Sequence, residues 1–209
     1  CRWVGRYYRK KINVAGVAGW RPGDMWRNKS KAYVHDLYSK EMPIFYGTCD
    51  GEFNRGAARN AAVAQADCDI LWIFDTDVFV PPEQMWAACY LAGQTGELVL
   101  AYDNYGLVDR ASTMRIYAGR SYHARKLIPN HASCAMAVPI SLWREIGGYD
   151  ERFTTWGGED RAFWLACNAL RGKLDCLRTP GNAYHLYHPR PKDKDPNLPG
   201  YKENIELCK

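Results

Sequence analysis

Asp75 and Asp77 flank a threonine directly after the apolar run Leu71-Trp72-Ile73-Phe74. Carboxylates at the mouth of a buried strand are costly unless water, a cation or hydrogen-bond donors compensate their charge. One residue apart at a strand end, both can turn into one cleft and hold a hard cation such as Mg²⁺ or Mn²⁺, which can in turn hold phosphate oxygens. Further on, Trp156-Gly157-Gly158 precedes a second pair of acids, Glu159 and Asp160. The glycines permit backbone conformations and close approach that a Cβ would block. Acids in the first turn of a helix are favoured by its dipole. Together the two strings suit a phosphate-bridging metal with a carboxylate base beside it. The plainer reading makes the first pair turn caps and the second pair helix-start acids.

The elements that must carry these residues alternate. Residues 12–17 form a short apolar run ending in Gly19-Trp20-Arg21-Pro22-Gly23, which predicts a strand and a turn. A helix is expected over 26–37, a strand over 43–46 closed by Gly47-Thr48-Cys49-Asp50-Gly51, and an Ala-rich helix over 55–66 capped by Asn54. The strand into Asp75 follows. Pro81-Pro82-Glu83 then opens a helix to about Leu91, with proline where a first turn accepts it, and 98–102 reads as a strand. Alternation of this kind predicts an α/β fold with a mainly parallel central sheet and ligands at the strand ends. The stretch 104–130 breaks the rhythm with Arg110, Arg115, Arg120, Arg125 and Lys126, and reads as a loop. Beyond it, 132–138 reads as a strand, 141–146 as a short helix stopped by Gly147-Gly148, and 158–170 as a longer helix stopped by Gly172. From Pro189 onward no core pattern is visible, which predicts a flap or a frayed tail.

With Asp75-Thr76-Asp77 and Trp156-Gly157-Gly158-Glu159-Asp160 in this order, the chain resembles the GT-A glycosyltransferases, over about residues 12–188. It is closest to the family 2 enzymes and to the galactosyltransferase-like group with a C-terminal Trp-Gly-Gly-Glu-Asp element. The resemblance implies one Rossmann-like, nucleotide-sugar-binding domain over 1–209, with a donor half at about 12–103 and an acceptor or catalytic half at about 131–190. It implies a metal-dependent, inverting transfer from a UDP-sugar to an acceptor hydroxyl. Asp77 would ligate Mn²⁺ or Mg²⁺, and Asp75 would touch the ribose or the metal's water shell. A C-terminal histidine completes the metal site in similar enzymes, and His185 matches best, with His188 as the alternative. Asp160 would be the base and Glu159 would orient the acceptor. Trp156, Gly157 and Gly158 would line the sugar site.

On the donor side, Trp20 and Arg21 follow the first strand, where similar enzymes wrap the uridine, and Asp50 follows the second, where the family often has an acid for base or ribose. Asn54, Arg55 and Arg59 open the next helix, whose N-terminus can bind anions. Asn54 serves equally as an N-cap. Members often carry a further acid after the Glu-Asp pair, whereas Arg161 stands here. His123 and His131 have no role in this scheme.

Composition narrows the alternatives. The 209 residues suffice for one substantial core, and 47% hydrophobic with 24% charged residues is a globular balance. A net charge of +5 helps attract phosphates or an anionic acceptor without indicating nucleic-acid binding. No apolar run approaches the length of a membrane span, and the basic start lacks a signal-peptide core. The eight cysteines are irregularly spaced, which favours free thiols and a cytoplasmic protein. A nucleotidyl-transfer enzyme would share the Asp-x-Asp string but has no use for the second string. An inactive carbohydrate-binding module would not need the acids. The acceptor is open between a glycan, a protein side chain and a modified base.

Overall fold

The computed structural model describes residues 12–51, 53–132, 135–154, 157–189, 197 and 199–207. In chain order the elements are β1 (Val14–Gly19), α1 (Met25–Tyr38), β2 (Ile44–Gly47), α2 (Arg55–Val63), β3 (Ile70–Ile73), β4 (Val78–Phe79), α3 (Pro82–Thr95), β5 (Val99–Leu100) and β6 (Asn104–Leu107). They continue with α4 (Arg110–Tyr117), β7 (Lys126–Pro129), β8 (Met136–Pro139), α5 (Ile140–Ile146), α6 (Glu159–Leu170), β9 (Leu177–Arg178), β10 (Asn182–His185) and α7 (Pro199–Leu207).

Continuous apolar sequence lets β1 and β3 be covered on both faces, as central strands of such a sheet require. They lie in a six-stranded sheet of order β2-β1-β3-β8-β5-β9. The sheet is mainly parallel, as expected, with β8 inserted antiparallel between β3 and β5. The two sequence halves are therefore interleaved, since β8 and β9 join strands from the donor half.

Local chemistry fixes the elements around the cleft. Asp24 caps α1 by accepting from the Trp26 and Arg27 amides, at 2.8 and 3.1 Å. Asn54 caps α2 by accepting from the Ala57 amide at 2.9 Å. The alanines of α2 let it close on β1 and β2. Gly47 is required there, because a Cβ would run into the α2 backbone around Ala58 and Ala62. That close approach points Arg55 and Arg59, one turn apart, along the ends of β1 and β3.

Two expectations are corrected. The stretch 104–130 is not a loop: it contributes β6, α4 and β7 to a second sheet of order β4-β10-β6-β7. Its strands are four residues or fewer, and β7 is an exposed edge. Such short segments carry no readable alternation, and they are strands because β10 arrives from the far end of the chain to pair with β4 and β6. The tail also folds in part. Helix α7 buries Asn204, 2% exposed, whose side-chain amide donates to the Gly157 carbonyl at 2.9 Å.

Candidate active site

A cleft of about 240 Å³ opens at the ends of β1 and β3, where the two sheets meet. Asp75, Thr76 and Asp77 line it together with Arg21, Arg55, Glu159, Asp160 and His185. The acids thus share one cleft although they come from distant parts of the chain.

Asp77 sits where the first sheet hands over to the second. Its carbonyl accepts from the Leu186 amide at 2.8 Å, and Val78 pairs with His185 across β4 and β10. This ladder brings His185 Nε2 to 3.9 Å and His188 Nε2 to 3.3 Å from the Asp77 carboxylate. Ligand atoms of Asp77, His185 and His188 all lie within 4.8 Å of one another, one carboxylate and two imidazoles of the kind that divalent transition metals take. His188 Nδ1 bonds to the Pro189 carbonyl at 2.8 Å, which leaves Nε2 as the ligand nitrogen. That Nε2 is buried without a hydrogen-bond partner, an orphaned atom that a metal would satisfy. Both histidines therefore fit one site, where the sequence order set them as alternatives. Asp75 stands outside the cluster; its carboxylate accepts from Arg59 at 2.7 Å.

Helix α6 starts at Gly158, whose φ of +96° follows a φ of +97° at Gly157, and no side chain caps it. A Cβ on Gly157 would come within 2.8 Å of the Tyr201 ring, so the hinge glycine makes room for α7. Trp156 lies outside the described residues. Asp160 Oδ1 accepts from Arg59 Nη1 at 2.9 Å and from the Tyr149 hydroxyl at 3.1 Å. Glu159 is 7% exposed and faces Arg55 at 3.8 Å and Arg59 at 3.9 Å. Burial, then repulsion from Asp160, raise its pKa above the ordinary glutamate value, and the two arginines offset only part of this.

The sign of that shift sets an expectation. The folded protein binds the Glu159 proton more tightly than the unfolded chain does, so folding loses stability as pH rises through the glutamate range. The cost is fully present above the raised pKa. Glu159→Gln is expected to raise the thermal midpoint at neutral pH, by about 2–4 °C for each kcal/mol relieved. The gain should vanish in melts run below the usual carboxylate range. An unchanged or lowered midpoint at pH 7 refutes it.

The donor-side residues divide. Trp20 and Arg21 line the cleft, the Trp20 amide extending the ladder to the Gly47 carbonyl at 2.8 Å. Arg55 and Arg59 line it too. Asp50 is exposed and is not among the lining residues, and Asn54 serves as the α2 cap while donating to the Glu151 carbonyl at 2.6 Å. Sequence reasoning missed Phe53, Arg27, Tyr105 and His131 in the walls. Arg21 lies 4.9 Å over the Phe53 ring, and His131 stacks on Tyr105 at 4.4 Å with its Nδ1 buried and without a partner. Burial lowers the His131 pKa, so the ring is neutral at physiological pH. An aromatic immediately before Asn54-Arg55 was the available signal for Phe53; His131 had none.

Comparison with known proteins follows the same lines. The model of glycosyl transferase family 2 matches residues 26–138, more than half of the chain, and the chain belongs to that family. A second model, described as the N-terminal domain of galactosyltransferase, matches residues 115–189. The catalytic domain of Drosophila beta1,4galactosyltransferase 7, solved with xylobiose, superposes with a TM-score of 0.60 at 14% identity, covering 92% of this chain and 79% of that one. A mutant of the same Drosophila enzyme has been solved with manganese, UDP-Gal and xylobiose. S. aureus TarS 1-349 with UDP-GlcNAc superposes with a TM-score of 0.61 at 11% identity, covering 94% and 65%. No curated protein sequence matches the chain. The fold is that of the GT-A enzymes, and the protein is a glycosyltransferase. Among the described residues no helix is long and apolar enough to cross a membrane.

Proposed function

We propose that the protein transfers a sugar from a UDP-sugar to an acceptor hydroxyl, with inversion and with a divalent metal. The observation that carries this reading is the convergence of Asp77, His185 and Asp160 in one cleft, with His188 beside Asp77, although three separate segments supply them. The structural relatives solved with UDP-Gal or UDP-GlcNAc support the donor class.

Asp77, His185 and His188 would hold Mn²⁺ or Mg²⁺. A metal there supplies Lewis-acid stabilisation of the charge that develops on the departing diphosphate. Arg21 and Arg55 add fixed positive charge around the same diphosphate. The Phe53 ring under Arg21, with Trp20, gives the nucleoside an apolar wall. Asp160 accepts the acceptor's proton as its oxygen bonds to the anomeric carbon; the bond from that carbon to the diphosphate breaks, and UDP leaves with the electron pair. Glu159 orients the acceptor. The donor half is residues 12–103 and the catalytic half 131–190. Cys68, Cys89, Cys167 and Cys176 are buried free thiols, and burial pushes the Cys68 pKa up to about 11, which suits a reducing, cytoplasmic setting.

The test is a release assay. Each nucleotide sugar is incubated with Mn²⁺ and no acceptor, and free nucleotide is measured. UDP release from a UDP-sugar, abolished by chelation, is the expected result. Release of pyrophosphate would make the protein a nucleotidyl-transfer enzyme instead, and absence of release from every donor would overturn the reading.

A further inference from the structure

Arg59 is 1% exposed in the middle of α2, a helix otherwise fitted against the sheet by alanines. A buried guanidinium is expensive unless every side of it is engaged. Here it spans two acids from different elements. Nη2 donates to Asp75 Oδ1 at 2.7 Å, after β3, and Nη1 donates to Asp160 Oδ1 at 2.9 Å, at the start of α6. Glu159 lies 3.9 Å from the same Nη1. The guanidinium also rests 4.9 Å over the Tyr149 ring. That ring stacks on Phe163 of α6 at 4.4 Å, and its hydroxyl donates to the Asp160 oxygen that Arg59 holds.

We propose that Arg59 is a positioning residue of the transfer step, a buried strut that fixes the Asp160 carboxylate to the donor-side acid Asp75. The proposal rests on Asp160 as the base. Helix α6 begins at two glycines in positive-φ conformations without a side-chain cap, so the hinge itself does little to aim its first residues. Arg59 and Tyr149 supply the aim from outside the helix. The strut runs between the nucleotide side of the cleft and its acceptor side, so a donor bound at Asp75 is referenced directly to the base. Only a planar fork can do this. A lysine ammonium is a point charge on a flexible stem and cannot hold two carboxylates in a fixed line.

Among the described residues, the charged and titratable groups around Asp160 include Arg59 from α2, Glu159 from its own helix with Arg55 behind it, Tyr149 before α6, and His131. Without Arg59, the Asp160 carboxylate loses its link to Asp75. The split between kcat and KM is therefore the deciding readout. Arg59→Lys keeps the charge but not the fork, and its kcat should fall about 10²-fold from lost alignment while the KM for the donor changes little. In Arg59→Gln kcat should fall at least as far. Asp75→Asn should instead raise the KM for the donor. Thermal melts establish that each variant is folded. Should Arg59→Gln fail to fold, Arg59→Lys decides alone: full kcat in that variant overturns the proposal, as does a folded Arg59→Gln with full kcat. Failure of the base reading is a separate result, seen as normal turnover in Asp160→Asn.

Discussion

Asp160→Asn is expected to bind Mn²⁺ and a UDP-sugar as the unmodified protein does while turning over about 10²–10⁴-fold more slowly. The substitution preserves size and still accepts hydrogen bonds from Arg59 and Tyr149, so the wall around it stays in place. What it removes is the capacity to take a proton. Because the loss falls on a step after binding, kcat and kcat/KM should fall together with little change in donor affinity. The measurement is steady-state transfer to an acceptor alongside calorimetry with UDP and Mn²⁺. Normal turnover would make Asp160 a helix-start acid and move the base to Glu159.

The second large effect belongs to the metal site. Asp77→Ala is expected to abolish metal-dependent UDP binding without unfolding the protein, because the side chain stands at the rim rather than in the core. His185→Ala and His188→Ala should each weaken Mn²⁺ by more than the roughly 10–100-fold that removal of a partner hydrogen-bonded to a ligand costs. His188 is the nearer to Asp77 and the more buried, so its loss should weigh at least as much as that of His185. Calorimetric titration of Mn²⁺ in the presence of UDP checks all three. Retained metal dependence in Asp77→Ala would remove the assignment, and indifference to both histidines would make the segment after β10 structural.

Much of the architecture could be read from the chain because its central elements are locally explicit. The run 70–74 is apolar and short, Pro82 opens α3, and Gly147, in a left-handed conformation, closes α5. The second sheet could not be read, since β4, β6, β7 and β10 have no periodicity of their own and exist through pairings between distant residues. The site divides in the same way. Carboxylates at a strand end and at a glycine-led helix announce themselves by type and spacing. Arg59 could be named only as a donor-side candidate, because its burial and its bridge between Asp75 and Asp160 arise when the helix is pressed on the sheet. His188 stands in the sequence only as the alternative to His185, and it joins the same cluster because the turn after β10 folds its ring back towards Asp77.

The pairing of β10 between β4 and β6 has a consequence for the life of the chain before it is complete. Asp77 is made early and waits for His185 and His188, from which most of the chain separates it. During synthesis β1, β2 and β3 can pair with one another while Asp77 has no histidines to face. Long-range closure of this kind is slow relative to local folding. On the proposed reading, a half-made protein lacks the histidines with which to capture a cation and split a nucleotide sugar. On that reading competence arrives when the last strand docks, and metal and donor would then stabilise the docked form by mass action.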